Sequence, residues 1–238
     1  MASRRQAAVL IQEGKVTVDG KVVSSKGLRV DPDKHEISVG GKPVKTERKC
    51  YFLFNKPKGV ISTSADTHGR LKITDYFEGH DERLFSIGRL DKDTTGLIIL
   101  TNDGELAHRL SHPSFEVEKE YIAKIEGELT PIKIQQLEKG VDIGEFHTHP
   151  CSIKVTKQFK NGMELSIILH EGRKRQIRLM MKAMGCSVLE LSRVKYAGLD
   201  IKELKIGGYR ELTREEVDKL MSRRRSGVSA GNGQEKAC

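Results

Sequence analysis

The sequence predicts an α+β protein with a mixed, mainly antiparallel β-sheet and flanking helices. Three observations lead there. Helical and strand patterns are interspersed along the 238 residues, residues 15–23 alternate with period two about an Asp-Gly turn, and a polar linker follows at residues 43–49. We expect a small domain at residues 1–46, a larger domain at 47–221 and a disordered basic and polar tail at 222–238.

The small domain begins with a predicted helix. Ser3 and Gln6 have capping-box spacing, an apolar residue recurs at helical spacing, and Gly14 is a plausible stop. The hairpin about Asp19-Gly20 comes next. Arg4 and Arg5 stand at the helix N-terminus, where the macrodipole does not favour cations, so phosphate binding would explain their placement.

The larger domain is predicted from its first strand to its last helix by apolar periodicity and capping residues. Its Leu97–Leu100 run is apolar throughout and predicts a strand buried on both faces. The elements expected in order are a strand at 51–54, a basic turn at 55–59, the strand at 97–100, a helix at 103–110, a strand at 119–126, a helix from 131 to about 140, a strand at 163–170, a helix at 174–184, and a helix opened by Thr213 and Glu216.

Composition limits the classes of function. The 42 Lys and Arg residues against 33 Asp and Glu give a net charge of +9, which favours an acidic partner such as nucleic acid. No apolar run is long enough to span a membrane and no secretory segment occurs, so we expect a cytoplasmic protein. The four cysteines are scattered, and neither a third ligand for the histidine pairs nor a nucleotide-binding glycine motif is found. We therefore expect no metal and no cofactor.

Residues 88–104 are the most informative stretch. A polar loop runs into the apolar strand, which ends in the turn sequence Asn102-Asp103-Gly104. Arg89 and Asp91 lie two residues apart, so in an extended loop their side chains could share one side, with the guanidinium in reach of the carboxylate. On spacing alone, Asp91 is more often a turn or capping residue than a catalytic one.

This stretch resembles the catalytic motif of bacterial ribosomal-RNA pseudouridine synthases of the RsuA/RluB family. The shared form is Gly-Arg-Leu-Asp, a Thr before a Gly, an aliphatic run and Thr-Asn-Asp-Gly. The resemblance implies that Asp91 is the catalytic residue. Residues 3–20 resemble the S4 RNA-binding domain of the same family, here without its first helix. The implied architecture is an S4-like domain followed by a pseudouridine synthase catalytic domain, and the resemblance covers roughly residues 2–220.

Two further segments resemble motifs of this family. Residues 118–124 resemble the second motif, which implies that Tyr121 packs against the target base while Lys119, two residues earlier, shares its strand face. Residues 171–178 resemble the third motif, which implies that Arg178 pairs with Asp91 and that Arg173 and Arg175 hold phosphates.

The family's opening motif is matched by Asn55-Lys-Pro-Lys-Gly59, followed by Ser62-Thr63 and Gly69-Arg70. The resemblance implies a basic loop near the RNA, with Lys56, Lys58 and Arg70 as phosphate contacts.

The sequence therefore predicts a monomeric enzyme, without a membrane partner, that isomerises a uridine in ribosomal RNA. The Arg-Gln-Ile-Arg string in residues 175–178 favours 23S ribosomal RNA as the substrate, and 16S ribosomal RNA is the alternative. The alternative of another class is a non-catalytic S4-type RNA-binding factor for ribosome assembly, in which Asp91 only braces Arg89 or Arg178.

Overall fold

The computed structural model describes residues 4–24, 27–45, 47–63, 66 and 68–223. The chain divides into two compact units, Met1–Arg48 and Lys49–Cys238. The capping residue predicted at position 3 lies outside the described residues, and so do residues 224–238 of the tail predicted to be disordered at 222–238.

The first unit is one helix with a four-stranded sheet. Helix α1 spans Arg4–Gln12, and the strands are β1 (Val16–Val18), β2 (Lys21–Val22), β3 (Ile37–Val39) and β4 (Lys42–Pro43), in the order β2-β1-β3-β4. The hairpin expected from Asp19-Gly20 is confirmed, because β1 pairs antiparallel with β2 and both turn residues have positive φ, 49° and 75°. Strands β3 and β4 were not predicted.

The second unit is a nine-stranded sheet with four α-helices among the described residues. The strands are β5 (Tyr51–Lys56), β6 (Phe85–Ile87), β7 (Thr95–Thr101), β8 (Lys119–Glu126), β9 (Ser152–Phe159), β10 (Gly162–Leu169), β11 (Ser187–Tyr196), β12 (Leu199–Asp200) and β13 (Tyr209–Glu211). The helices are α2 (Gly104–Ser111), α3 (Pro131–Lys139), α4 (Gln176–Ala183) and α5 (Arg214–Met221), with short 3-10 helices at Ile73–Phe77 and Pro113–Phe115.

The sheet is mixed and mainly antiparallel, as predicted. Its order is β13-β5-β7-β11-β8-β10-β9, with β6 added to β7 and β12 to β11. Among the strands described, only β7 and β11 pair in parallel. No helix in the described part of the chain is long and apolar enough to cross a membrane.

Strand β7 lies at the centre of the unit and is buried on both faces, as the apolar run predicts. Ile98 and Leu100 belong to the core on one face, while Leu97 and Ile99 belong to the core on the other, and all four are 0% exposed. Burial of each such side chain contributes about 1.5–3 kcal/mol. The segment before β7 is therefore attached to a strand that is buried on both faces.

The Thr-Asn-Asp end of the 88–104 stretch has a structural role. Thr101 Oγ1 donates a hydrogen bond to the Cys50 carbonyl, and Asn102 Oδ1 accepts one from the Cys50 N–H. The Asp103 carboxylate caps α2 by accepting hydrogen bonds from the N–H groups of its first turn. It also accepts a hydrogen bond from the Tyr51 hydroxyl at 2.8 Å. These bonds join the start of the second unit to α2, which places the chemistry of the stretch in its first half.

Candidate active site

The loop at residues 88–94 connects β6 to β7 and carries Asp91. The Asp91 carbonyl accepts the Thr94 N–H at 3.0 Å, which closes a tight turn. The Asp91 carboxylate is partly exposed and has no hydrogen bond or ion pair with any residue that the structure describes. Asp91 is therefore not a cap of a regular element, and its carboxylate oxygens are available to a substrate.

The backbone on either side of Asp91 is held by residues of the 55–63 segment. Ser62 Oγ donates to the Leu90 carbonyl at 2.9 Å and accepts the Leu90 N–H at 3.1 Å. On the other side, the Gly59 N–H donates to the Lys92 carbonyl at 2.8 Å. These hydrogen bonds fix the position of Asp91 through the backbone of its two neighbours. The carboxylate of Asp91 itself takes no part in them.

Lys56 corrects a sequence expectation. Its side chain is 0% exposed, and Nζ donates to the Val60 carbonyl at 2.8 Å, to the Pro57 carbonyl at 3.0 Å and to the Lys92 carbonyl at 3.5 Å. Burial lowers the pKa of Lys56 to about 8, although Asp91 and Asp93 oppose the shift. The expected phosphate contact is wrong because this ammonium points into the protein, where it braces the Asp91 loop.

Arg178 reaches the Asp91 loop, but the expected ion pair is absent. From α4, its Nη1 donates to the Val188 carbonyl at 3.0 Å and its Nη2 to the Asp93 carbonyl at 3.4 Å. Neither Arg178 nor the exposed Arg89 forms an ion pair with Asp91 in the described structure. The expected carboxylate–guanidinium contacts are thus wrong in detail, because Arg178 holds the loop through a backbone oxygen two residues further on.

Tyr121 and Lys119 lie on one face of β8, as their spacing predicts. Tyr121 is 9% exposed and packs in the core that also contains Ile98, and it pairs across the sheet with Ile167 and Arg193. Lys119 is half-buried, and its Nζ donates to the Val117 carbonyl at 2.6 Å.

The remaining basic candidates differ in their surroundings. Arg173 is exposed, lies 5.1 Å from the Phe146 ring centroid and has its Nε 3.6 Å from Glu171. Arg175 is exposed and takes a left-handed φ of 53°, which delays the start of α4 from the predicted residue 174 to Gln176. Lys58 and Arg5 are exposed, and Arg4 is the first residue of α1.

Arg70 forms an ion pair with Asp66. The guanidinium of Arg70 thus already has a carboxylate partner within the protein.

Buried polar atoms without partners gather at this site. Among the described residues these atoms are Thr94 Oγ1, Arg178 Nε and Arg193 Nη2. Thr94 belongs to the Asp91 loop, Arg178 contacts it, and Arg193 pairs with Gly96 of the strand that follows. Buried polar groups normally have partners, so a cluster of exceptions is typical of a functional site. The sequence analysis missed both Thr94 and Arg193. The Thr of the shared motif is Thr95, the residue before Gly96, so Thr94 had no signal of its own beyond lying next to it. Arg193 lies in a strand that was not predicted.

Comparisons with known proteins identify the family to which the chain belongs. The RNA pseudouridylate synthase family model matches residues 50–183, and the S4 domain model matches residues 1–35. A ribosomal large subunit pseudouridine synthase B of Bacillus subtilis is 44% identical over 222 residues, covering 92% of this chain and 91% of that protein. An uncharacterized RNA pseudouridine synthase of Aquifex aeolicus is 37% identical, with 92% and 89% covered. The crystal structure of a pseudouridylate synthase superposes with a TM-score of 0.65 at 28% identity, covering 92% of this chain and 94% of that one.

A mixed sheet carrying a fixed aspartate loop, preceded by an S4 domain, defines the class as an RNA-modifying isomerase. The chain belongs to the RNA pseudouridylate synthase family.

Proposed function

We propose that this protein converts a specific uridine of 23S ribosomal RNA to pseudouridine, with Asp91 as the catalytic residue. The observation that carries the proposal is the Asp91 carboxylate itself, which has no partner among the described residues although the backbone beside it is bonded on both sides. Such an arrangement holds a carboxylate in one place while leaving it able to act on the ribose or the base.

The other groups divide the work between the base and the backbone of the RNA. Tyr121 stacks on the everted uracil, a contact of about 1–3 kcal/mol per base. Arg178 keeps the loop in register through the Asp93 carbonyl. The exposed cations bind phosphates; they are Lys58, Arg89, Arg173 and Arg175, with Arg4 and Arg5 of the S4 unit as a second contact.

The choice of 23S ribosomal RNA is supported by the name of the Bacillus subtilis relative, a large-subunit enzyme. We further propose that the protein acts as a cytoplasmic monomer, in the compartment where ribosomal RNA is made and modified.

The test uses 23S and 16S transcripts labelled with tritium at C5 of uridine. Formation of pseudouridine must release that hydrogen, because C5 becomes the carbon that carries the ribose. We expect one equivalent of tritium per 23S transcript and none from 16S. Release of tritium from the 16S transcript alone would show that the substrate is small-subunit ribosomal RNA. Tight RNA binding without release from either transcript would show that the protein is a non-catalytic assembly factor.

A further inference from the structure

Two cations lie close together beside Tyr121 without a bonded carboxylate. Arg193 pairs directly with Tyr121 across the β8–β11 ladder, and Tyr196 pairs with Lys119 at the end of the same ladder. In the described structure the ion pairs include neither Lys119 nor Arg193. Their hydrogen bonds go to main-chain carbonyls, those of Val117 and Leu97.

Arg193 is enclosed to an unusual degree for a charged side chain. It is 3% exposed, its Nε donates to the Leu97 carbonyl at 2.7 Å, and its guanidinium lies 4.5 Å from the Tyr196 ring centroid. Its Nη2 has no hydrogen-bond partner among the residues that the structure describes. A buried cation normally requires a paired anion or a full set of acceptors, so the field of this guanidinium is incompletely compensated by the protein.

Glu171, the carboxylate whose charge acts on Lys119, already has partners of its own. Glu171 Oε1 accepts the His149 N–H at 2.8 Å and Gln176 Nε2 at 2.7 Å, and Oε2 lies 3.6 Å from Arg173 Nε. Glu171 therefore fixes the loop before α4, while Lys119 bonds to the Val117 carbonyl instead.

Lys119 also lies against that loop. A Cβ added at Gly172 would be 3.8 Å from Lys119 Cε, and the Lys119 ammonium is 5.9 Å from the Tyr196 ring centroid. The half-buried lysine thus reaches from β8, the strand that also carries Tyr121, to the segment that leads to Arg178. Positive charge is therefore concentrated beside Tyr121, the residue proposed to stack on the target uracil.

The reaction creates negative charge at such a place. Cleavage of the N1–C1′ bond, by attack of Asp91 on C1′ or by loss of the C2′ proton, leaves the bonding pair on uracil, delocalised over O2 and O4. Attack of the carboxylate on C6 pushes the same charge onto O4. C5 then bonds to C1′, and the carboxylate is released from C1′ or C6, or the proton is returned to C2′. The C5 proton is finally lost and N1 takes up a proton, so the ring becomes neutral.

We propose that Lys119 binds an anionic oxygen of the target nucleotide, with Arg193 as a positioning charge behind it. This inference rests on the proposed function and adds to it the group that receives the negative charge. The oxygen belongs to the uracil ring during the reaction or to the phosphate of the same nucleotide, and the two sources differ in what they predict for RNA affinity.

The pH dependence follows from the surroundings of Lys119. Burial and then the charge of Arg193 lower the pKa of Lys119 to about 8, while Glu171 opposes the shift and Tyr196 and Tyr121 are the other titratable groups nearby. Lys119 is therefore protonated at pH 7 and loses its charge as the pH rises through about 8. We expect kcat/KM of the free enzyme to fall over that range.

Three variants test the assignment, with tritium release as the assay. Lys119→Arg keeps the charge at high pH, so the fall of kcat/KM near pH 8 should disappear. Lys119→Met should lower the single-turnover rate by about 100-fold, which is the typical effect in enzymes of removing one preorganised hydrogen-bond donor to a developing oxyanion. Arg193→Met should raise the Lys119 pKa and move the fall to higher pH. Lys124→Met is the matched control, since Lys124 lies on the same strand but on its opposite face, near Glu190.

Rate and affinity measurements on Lys119→Met distinguish an oxygen of the uracil ring from an oxygen of the phosphate. A slower single turnover in Lys119→Met with unchanged RNA affinity identifies the uracil ring. Weaker RNA binding with a salt slope reduced by about 1, and an unchanged rate at saturating RNA, identifies the phosphate. The proposal is overturned if Lys119→Arg keeps the wild-type pH profile, or if Lys119→Met matches Lys124→Met. A wild-type protein that releases no tritium contradicts the proposed function itself.

Discussion

Asp91 is kept available by bonds to the backbone around it. Ser62 and Gly59 fix the main chain of Leu90 and Lys92, while Lys56 and Arg178 bind carbonyls of the same loop. Because the supporting groups use main-chain oxygens, the carboxylate is not consumed in a salt bridge. The position of Asp91 therefore depends on the loop as a whole.

Lys56→Met tests this support at the scale of one residue. Methionine fills a similar volume but leaves the carbonyls of Val60 and Pro57 without their donor, at about 1–3 kcal/mol for each buried group left unsatisfied. We expect the free energy of unfolding to fall by about 2–4 kcal/mol in urea titrations, and kcat to fall with it since the loop loses a brace.

Lys58→Met is the control for Lys56→Met, because Lys58 is exposed and two residues away. It should leave stability within about 0.5 kcal/mol. If Lys56→Met were as stable as Lys58→Met and kept the kcat of the wild type, the bracing role of the buried ammonium would be refuted.

At the scale of elements, the parallel pairing of β7 with β11 positions the loop. Thr95 and Gly96 are aligned with Ser192 and Arg193. Gly96 has a φ of 105°, and a Cβ there would lie 2.3 Å from the Arg193 carbonyl oxygen. The close approach of the two strands thus requires glycine at this position.

Gly96→Ala should therefore destabilise the second unit. The clash with backbone and the positive φ each cost about 1–3 kcal/mol, so we expect the free energy of unfolding to fall by about 2–6 kcal/mol in denaturant unfolding. Gly104→Ala is the matched control at the other end of the same motif, because no atom lies within 4 Å of an added Cβ and the residue opens α2. There, alanine should be neutral or stabilising by up to about 1 kcal/mol. Equal effects of the two substitutions would contradict the proposed reason for Gly96.

At the scale of the whole molecule, the sequence predicted the elements that have strong local signals. The continuous apolar run predicted β7, and the capping residue and proline at Thr130-Pro131 predicted the start of α3. The first hairpin was predicted from its turn, Asp19-Gly20. Strand β11 escaped prediction because two register irregularities, after Val188 and after Arg193, break its alternation. Strand β9 escaped because Ile153 is its one buried residue.

The site was predicted less completely than the fold. The resemblance of residues 88–104 pointed to Asp91 and that of residues 171–178 to Arg178, and the structure brings Arg178 to the Asp91 loop. The sequence could not reveal that Arg178 bonds to a carbonyl and that the Lys56 ammonium turns inward, because the direction of a long side chain depends on packing between distant segments. Arg193 carried no local signal at all.

The charge of the S4 unit predicts that its helix α1 contributes to RNA binding. Residues 1–49 hold 11 Lys and Arg against 6 Asp and Glu, and the exposed Arg5 stands at the start of α1. Arg5→Gln should weaken RNA binding uniformly and reduce the slope of log K against log salt by about 1, while the single-turnover rate at saturating RNA is retained. An unchanged salt slope in filter-binding titrations would remove Arg5 from the RNA contact.

The central claim is that the Asp91 carboxylate performs the chemistry while the loop around it only holds it in place. Its most direct test is single-turnover tritium release by Asp91→Asn, measured beside RNA binding and thermal unfolding. We expect stability and RNA affinity to match the wild type, because the side chain has no bonded partner among the described residues, and we expect no detectable release. Tritium release by the purified variant at a rate near that of the wild type would contradict the claim.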